Sequence, residues 1–180
     1  YYDRHALDWT RRKPDPFMLE GLFRRFLKTT KPGDTIIDIG CANGLHATMF
    51  AGIGHDRKYL GIDISSKFLA IARHRWPIME FRQADIMDNT ILPGQTFDAF
   101  WAASVFMHIP EKDWPALLEN VRRITRPGST GCITVPTAPP VNRAPDDHRL
   151  FTVMSSAKLR ALLSHHGWRV RAMGLLPATA

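Results

Sequence analysis

Ile36-Ile37-Asp38-Ile39-Gly40-Cys41-Ala42-Asn43-Gly44 is the stretch that decides the fold. Thr35–Ile39 is a short β-branched run that reads as a buried strand. A tight turn bearing Gly40 and Gly44 follows, then a helical stretch through about Ile53. A strand passing through a small-residue turn into a helix is the opening unit of many ligand-binding α/β sheets. Gly40 would let the backbone come close to a ligand, with no Cβ in the way. The helix start would add free N–H groups and the positive end of a dipole. Many α/β proteins own such a turn, so its meaning depends on its surroundings.

Working outward, apolar residues at helical spacing from Phe17 to Leu27 predict a helix over Asp15–Lys28, ended by the turn Lys31-Pro32-Gly33-Asp34. Downstream, Tyr59–Asp63 reads as a second strand, Ser66–His74 as a helix and Met79–Gln83 as a third strand. Phe97–Ala102 is the expected fourth strand, Trp114–Ile124 a helix, Arg126-Pro127-Gly128-Ser129 a turn and Gly131–Val135 a fifth strand. Pro136–His148 is a proline-rich loop, Ser155–His166 a last helix stopped by Gly167, and Trp168–Met173 a candidate sixth strand. This alternation predicts an α/β fold: a doubly wound, mostly parallel sheet with helices on both faces, in one domain over residues 1–180. Ligands of such folds sit outside the C-terminal ends of the strands.

Two carboxylates stand at those ends. Asp63 closes the second strand, where an acid about 20 residues beyond the turn accepts hydrogen bonds from ribose hydroxyls. Its plainer role would be a helix cap, but Ser65 or Ser66 can serve there. Asp85 follows the third strand, placed to meet an exocyclic amine, with Ile86 offering apolar surface to a flat ring. Alone, Asp85 would be an ordinary loop acid; turn and acids together, each at a strand end, form a pattern.

At these residues the chain resembles the class I methyltransferases that use S-adenosylmethionine (SAM). Ile36–Gly44 looks like their first motif, Leu60–Ser65 their second, Gln83–Ile86 their third, Phe97–Phe100 through Val105–Pro110 their fourth, and Ile124–Ser129 the turn before their fifth strand. The order and spacing are more specific than any one motif, and the resemblance runs from about Tyr1 to Val170. It implies a seven-stranded type of sheet, of which the last strand is missing, displaced or trimmed here. It implies that Gly40, Cys41, Ala42 and Asn43 face the methionine part of SAM, with Asp38 behind them near the amine. Asp63 would hold the ribose with Ile64 beside the adenine, Asp85 and Ile86 would meet the adenine, and Ala102 would offer backbone atoms to the cofactor. The motif's usual second glycine is Ala42 here, a tolerated small residue.

Methyl transfer from a sulfonium is a direct displacement in which positioning supplies much of the catalysis. A hydroxyl acceptor would gain from a base, and His108, just past the fourth strand, is the candidate; its plain alternative is a structural loop histidine. Substrate contacts are expected from an N-terminal helical lid segment over residues 1–30, with Tyr2 and Trp9, and from the loop 136–150, with Arg143, His148 and Arg149. Arg143 or Arg149 would meet an anionic group, or be plain surface charge. No metal-ligand spacing is seen, and His165-His166 point to different helix faces.

Composition fits this reading. A hydrophobic fraction of 44% in 180 residues supports a globular core, and no apolar run approaches the roughly 20 residues of a membrane span. The start Tyr1-Tyr2-Asp3-Arg4-His5 has no secretory character and no Met, as expected of a trimmed chain. Cys41 and Cys132 read as reduced buried thiols, which fits the cytoplasm. The net charge of +7 is scattered, a mild bias toward anionic partners. The function expected is transfer of a methyl group to a hydroxyl or carboxyl oxygen, or an amine, of a small molecule, with oxygen preferred. RNA or protein methylation is the alternative within the family. An NAD(P)-dependent oxidoreductase is disfavoured because its fingerprint needs glycine where Leu45 stands. Trp101-Ala102-Ala103-Ser104 lacks the Asn/Asp-Pro-Pro-Tyr/Phe motif of base-amine methyltransferases, so nucleic acid is not the favoured acceptor.

Overall fold

Thr35–Ile39 forms the central strand, β1, of a five-stranded sheet. The computed structural model describes residues 2–11, 15–139 and 147–176. Along the chain the other strands are Lys58–Asp63 (β2), Glu80–Gln83 (β3), Phe97–Ala103 (β4) and Thr125–Thr134 (β5). The helices are Tyr2–Arg11 (α1), Glu20–Leu27 (α2), Ala47–Gly52 (α3), Ser66–Arg75 (α4), Trp114–Arg123 (α5) and Ser156–His165 (α6). Every strand pairing is parallel, in the order β3-β2-β1-β4-β5. The chain winds outward from β1 to β3, then returns to β1's other side as β4. The switch point therefore lies between β1 and β4, where the connections leave in opposite directions and open a crevice.

Alternation along the strands separates two cores. Ile37, Ile39, Phe100 and Ala102 face α5 and α6, packing with Trp114, Leu117, Val121 and Leu159. Ile36, Ala99, Trp101 and Ala103 face α2 and α3, packing with Phe23, Phe26, Met49 and Phe50. A period of two in β4 thus feeds both faces, and β1 and β4 read as apolar runs because both sides are covered. At the opposite end of the sheet from the crevice, Asp98 accepts hydrogen bonds from the Thr35 N–H and hydroxyl, both at 2.8 Å, and pairs with Arg126.

Several boundaries differ from the expectation for physical reasons. The predicted helix over 15–28 begins as a 3-10 turn, Pro16–Leu19, because Asp15 caps Phe17 N–H at 2.8 Å and proline fixes the first residue. The helix after the glycine turn starts only at Ala47, since residues 41–46 stay in turns. The turn expected at 126–129 lies inside β5 as an irregularity: Phe97 pairs with Thr125, whereas Ala99 pairs with Thr130.

The sixth strand expected at Trp168–Met173 is not formed. Trp168, Val170 and Met173 instead pack on the α5/α6 face, and the Trp168 ring meets Phe100 edge-on at 5.5 Å. Phe100 projects from the sheet, so a segment touching its ring runs in the helix layer and has no strand to pair with. The apolar alternation is used for packing without a ladder. Ser65 and Ser155 cap α4 and α6 by accepting the Phe68 and Lys158 N–H groups, each at 3.2 Å, which leaves Asp63 out of the capping role.

The core around Trp101 yields a stability prediction. Its ring is fully buried and meets Phe23 at 5.3 Å and Phe26 at 5.4 Å. Trp101→Ala is expected to cost about 3–5 kcal/mol in urea unfolding, whereas Leu175→Ala, at an exposed position, should stay within about 0.5 kcal/mol of the parent.

Candidate functional site

β1 ends in a turn whose backbone needs its residues. Gly40 and Gly44 hold φ of 72° and 74°, and Ala42 holds 47°, all in the left-handed region. A Cβ on Gly40 would lie 2.4 Å from a Val105 methyl carbon. The glycine therefore admits a side chain of the loop after β4. That contact presses the 105–108 turn against the 40–44 turn at the mouth of the β1/β4 crevice.

Asp63 ties the next strand to the same turn. Its Oδ2 accepts the Ala42 N–H at 2.9 Å and its Oδ1 accepts the Ser65 N–H at 2.8 Å. Burial raises its pKa against these bonds. β3 continues the rim: Gln83 is level with Asp63, Ala84 N–H donates to the Asp63 carbonyl at 3.1 Å, and Gln83 Nε2 donates to the Ile64 carbonyl at 3.0 Å. Asp85, two residues on, is exposed and accepts the Met87 N–H at 2.8 Å. The turn and both acids thus share one edge of the sheet.

Asp38 lies beneath this edge, 1% exposed. Tyr59 donates to its Oδ2 at 2.9 Å, while its Oδ1 has no partner. Burial pushes its carboxyl up to about 7; the Tyr59 bond lowers it and the Asp63 charge raises it. Asn43, also 1% exposed, gives its Nδ2 proton to Thr10 Oγ1 at 2.9 Å and leaves its own Oδ1 unpartnered. Orphaned buried oxygens are costly, and these two flank the turn.

α1 roofs the crevice. Its Asp3 accepts the Ser65 hydroxyl, its Thr10 receives Asn43, and its Tyr2 and Trp9 rings meet Phe68 of α4 at 5.8 and 5.3 Å. On the far side the Tyr2 hydroxyl lies 2.5 Å from His108 Nε2. His108 Nδ1 is 2.8 Å from the Leu150 carbonyl, and burial lowers its pKa, keeping the ring neutral.

The comparisons with known proteins agree with this architecture. The family model of the methyltransferase domain matches residues 36–128, from β1 into β5. The chain belongs to the methyltransferase-domain family. It is similar to an O-methyltransferase of Pyrenophora dematioidea, 31% identical over 152 residues that make up 77% of this chain and 55% of that protein. It is also similar to the 27-O-demethylrifamycin SV methyltransferase of Amycolatopsis mediterranei (strain S699), 29% identical over 160 residues, 83% of this chain and 57% of that protein. The chain spans about half the length of the curated relatives it matches, or less. The magnesium protoporphyrin IX methyltransferase of Synechocystis PCC 6803, solved with bound SAH, shares the fold at a TM-score of 0.75, with 15% identity over 99% of this chain and 91% of that one. The expected class I α/β fold is therefore confirmed, in a sheet of five strands among the described residues.

The structure brings together Asp38, Gly40, Ala42, Asn43, Asp63, Ile64 and Asp85 around the rim. Ile64 is 57% exposed. Cys41, Ile86 and Ala102 are buried, their side chains in the core; Cys41 N–H donates to the Ile62 carbonyl at 3.0 Å and the Ile86 carbonyl accepts Asn120 Nδ2 at 2.8 Å. Tyr2, Trp9 and His108 gather on the α1 side. His148 is exposed, and Arg143 lies outside the described residues. Arg149, read from sequence with Arg143 as either a contact for a substrate anion or plain surface charge, is engaged by Asp147 through two bonds of 2.8 Å. The contacts of Val105 with Gly40, of Thr10 with Asn43 and of Ser65 with Asp3 were not read from the sequence, because each partner is distant along the chain; the Asp147 pairing was missed although Arg149 is only two residues on. Among the described residues no cluster of metal-ligating side chains occurs, and no helix is long and apolar enough to cross a membrane.

Two buried titratable groups give opposite pH slopes. Asp38 binds its proton in the native state between the unfolded value of about 3.9 and the folded value, so its stabilisation is lost as pH rises toward about 7. His46 accepts the Trp101 Nε1 proton at 3.2 Å, and burial lowers its pKa to about 4. Its contribution therefore grows as pH rises through that window toward about 6.5. Asp38→Asn should gain stability relative to the parent between about pH 5 and pH 7 in urea titrations; a constant difference would refute the assignment. Gly40→Ala should fail to fold or melt far lower, since it combines strained φ with the Val105 clash.

Proposed function

We propose that the rim binds SAM and that the chain transfers the methyl group to an oxygen, or alternatively an amine, of a small molecule. One observation carries the reading: Asp63, locked onto the 40–44 turn, stands above an unpartnered buried oxygen of Asp38. Asp63 uses one bond per carboxylate oxygen on the protein, leaving lone pairs for ribose hydroxyls. Ile64 beside it offers exposed apolar surface for an adenine face, and Asp85 suits the adenine amine. The unpaired Oδ1 of Asp38 and Oδ1 of Asn43 are acceptors matching a cationic amino group. SAM, when bound, supplies an activated methyl group on a sulfonium.

This chain's own residues orient and enclose. The turn and Asp63 fix the nucleoside end, Asp38 and Asn43 the amino-acid end, and α1 covers the crevice against water, which strengthens every charge interaction inside. His108, held neutral, sits in the turn after β4 as a base for a hydroxyl acceptor. Oxygen is preferred because both curated relatives described above carry O-methylation in their names. We place residues 1–30 and 136–150 as the substrate side of a single domain, with Tyr2, Trp9 and His148 as its contacts. The acceptor is a small molecule rather than nucleic acid, RNA or another protein, and a cytoplasmic location accords with two free thiols.

Calorimetry tests the cofactor assignment. SAH, the demethylated product, should bind the intact chain and NAD should not; Asp63→Ala should weaken SAH by about 10-fold to 100-fold, the loss of charge-assisted hydrogen bonds. Because Asp38 must shed its proton to meet the amine, affinity should fall as pH drops below about 7, and Asp38→Asn should remove that dependence. Absence of any SAH binding would refute the function.

A further inference from the structure

We infer that Tyr59 is a positioning residue of the cofactor site: lying over Gly61, it fixes one oxygen of Asp38 and so aims the other at the cationic amine of SAM. The inference rests on the methyl-transfer reading. It deepens that reading by naming what orients the carboxylate and which feature of the ligand the carboxylate selects.

The sequence of β2 sets a glycine where a phenol needs room. Gly61 is level with Asp38 in the β1/β2 ladder, and Tyr59, two residues earlier, shares its face of the sheet. A Cβ on Gly61 would lie 2.8 Å from the Tyr59 hydroxyl oxygen, 2.8 Å from Phe81 Cδ1 and 2.9 Å from Cys41 Sγ. The bare backbone of Gly61 is therefore the floor over which the Tyr59 hydroxyl passes to reach Asp38 Oδ2 at 2.9 Å. Phe50 of α3 and Phe81 of β3 hold the phenol, with ring centroids 4.8 and 5.7 Å away. The ring is thus clamped from two other elements, and its hydroxyl is spent on one carboxylate oxygen.

That bond divides the labour of the two oxygens. A carboxylate can only accept, so the Tyr59 hydroxyl donates to Oδ2. Oδ1, buried with no partner, then carries the proton when Asp38 is neutral and is the free acceptor when Asp38 is charged. Burial pushes the carboxyl up to about 7, and the Tyr59 bond works against that rise. The other groups around Asp38 bring no positive charge to it. Asp63 on β2 raises it further. The Cys41 thiol, raised by burial and by Asp38, stays neutral, and Arg73 of α4 bears on that thiol. On the other flank Trp101, level with Asp38 on β4, gives its Nε1 proton to His46, which burial keeps neutral. A cation from the ligand is the missing counter-charge. When an ammonium meets Oδ1, the Oδ1 proton leaves to solvent; a ligand without the amine displaces none.

Three measurements on the intact chain test this. Without ligand, the Asp38 carboxyl followed by 13C NMR should titrate about one unit higher in Tyr59→Phe, the size of a lost hydrogen bond to a charged group. Calorimetry with SAH, and with 5′-methylthioadenosine, which has the nucleoside but no amino-acid end, reads the site. SAH should bind Tyr59→Phe about 10-fold more weakly than the parent near pH 6 and almost equally near pH 8.5. Methylthioadenosine should bind parent and variant alike at every pH, which also shows that the variant is folded. In the parent near pH 6, SAH should release about one proton, measured in buffers of different ionisation enthalpy, and methylthioadenosine none. Equal release by the two ligands overturns the inference without any variant. An unchanged carboxyl midpoint overturns it too, as does a loss of SAH affinity that is the same at every pH, the mark of a merely structural residue. Absence of SAH binding in the parent overturns the methyl-transfer reading itself; SAH binding with parallel pH curves overturns only the role of Tyr59.

Discussion

The bond from the Ala42 N–H to the Asp63 carboxylate, 2.9 Å long, is the constraint on which the site depends. It joins the turn after β1 to the end of β2, with Ala42 itself at positive φ. On one side of it lies Asp38 with its lone Oδ1; on the other the rim continues to Asp85. If that bond were absent, turn and acid would both be ordinary surface features. Its presence holds turn and acid together at one edge, beside the point where the sheet's winding reverses.

The recess has a roof from the chain's beginning and a wall from its later part. α1 reaches Ser65 through Asp3, Asn43 through Thr10 and His108 through Tyr2. Each of these is a polar contact at the edge of the crevice, whereas the sheet below is held by two dense apolar layers. Stability and the proposed function are therefore divided: the buried faces of β1 and β4 hold the fold, and the proposed chemistry falls to the strand ends, turns and α1. α1 adds to its polar contacts the Tyr2 and Trp9 rings on Phe68 and its buried Ala6, so polar and apolar contacts together hold it at the edge.

Much of this was legible in the residues. Doubly covered strands show as apolar runs, so β1, β2 and β4 declare themselves, and a glycine turn with acids one strand apart marks the rim because strand ends are local in sequence. The prospective sixth strand failed for the opposite reason. An apolar alternation such as that of Trp168–Met173 describes a buried face but does not say whether a neighbouring strand exists to complete a ladder.

The sequence by itself determined the fold class, the family and the rim residues, since all of these follow from local periodicity and from residues at fixed offsets after each strand. Only the tertiary structure decided that Val105 packs beside Gly40, that the Arg149 guanidinium lies over the Tyr2 ring, and that Tyr2 meets His108 from 106 positions away. The reason is physical. A side chain's partner is chosen by which surfaces packing brings within hydrogen-bond reach, and no pattern along one strand or helix encodes that meeting.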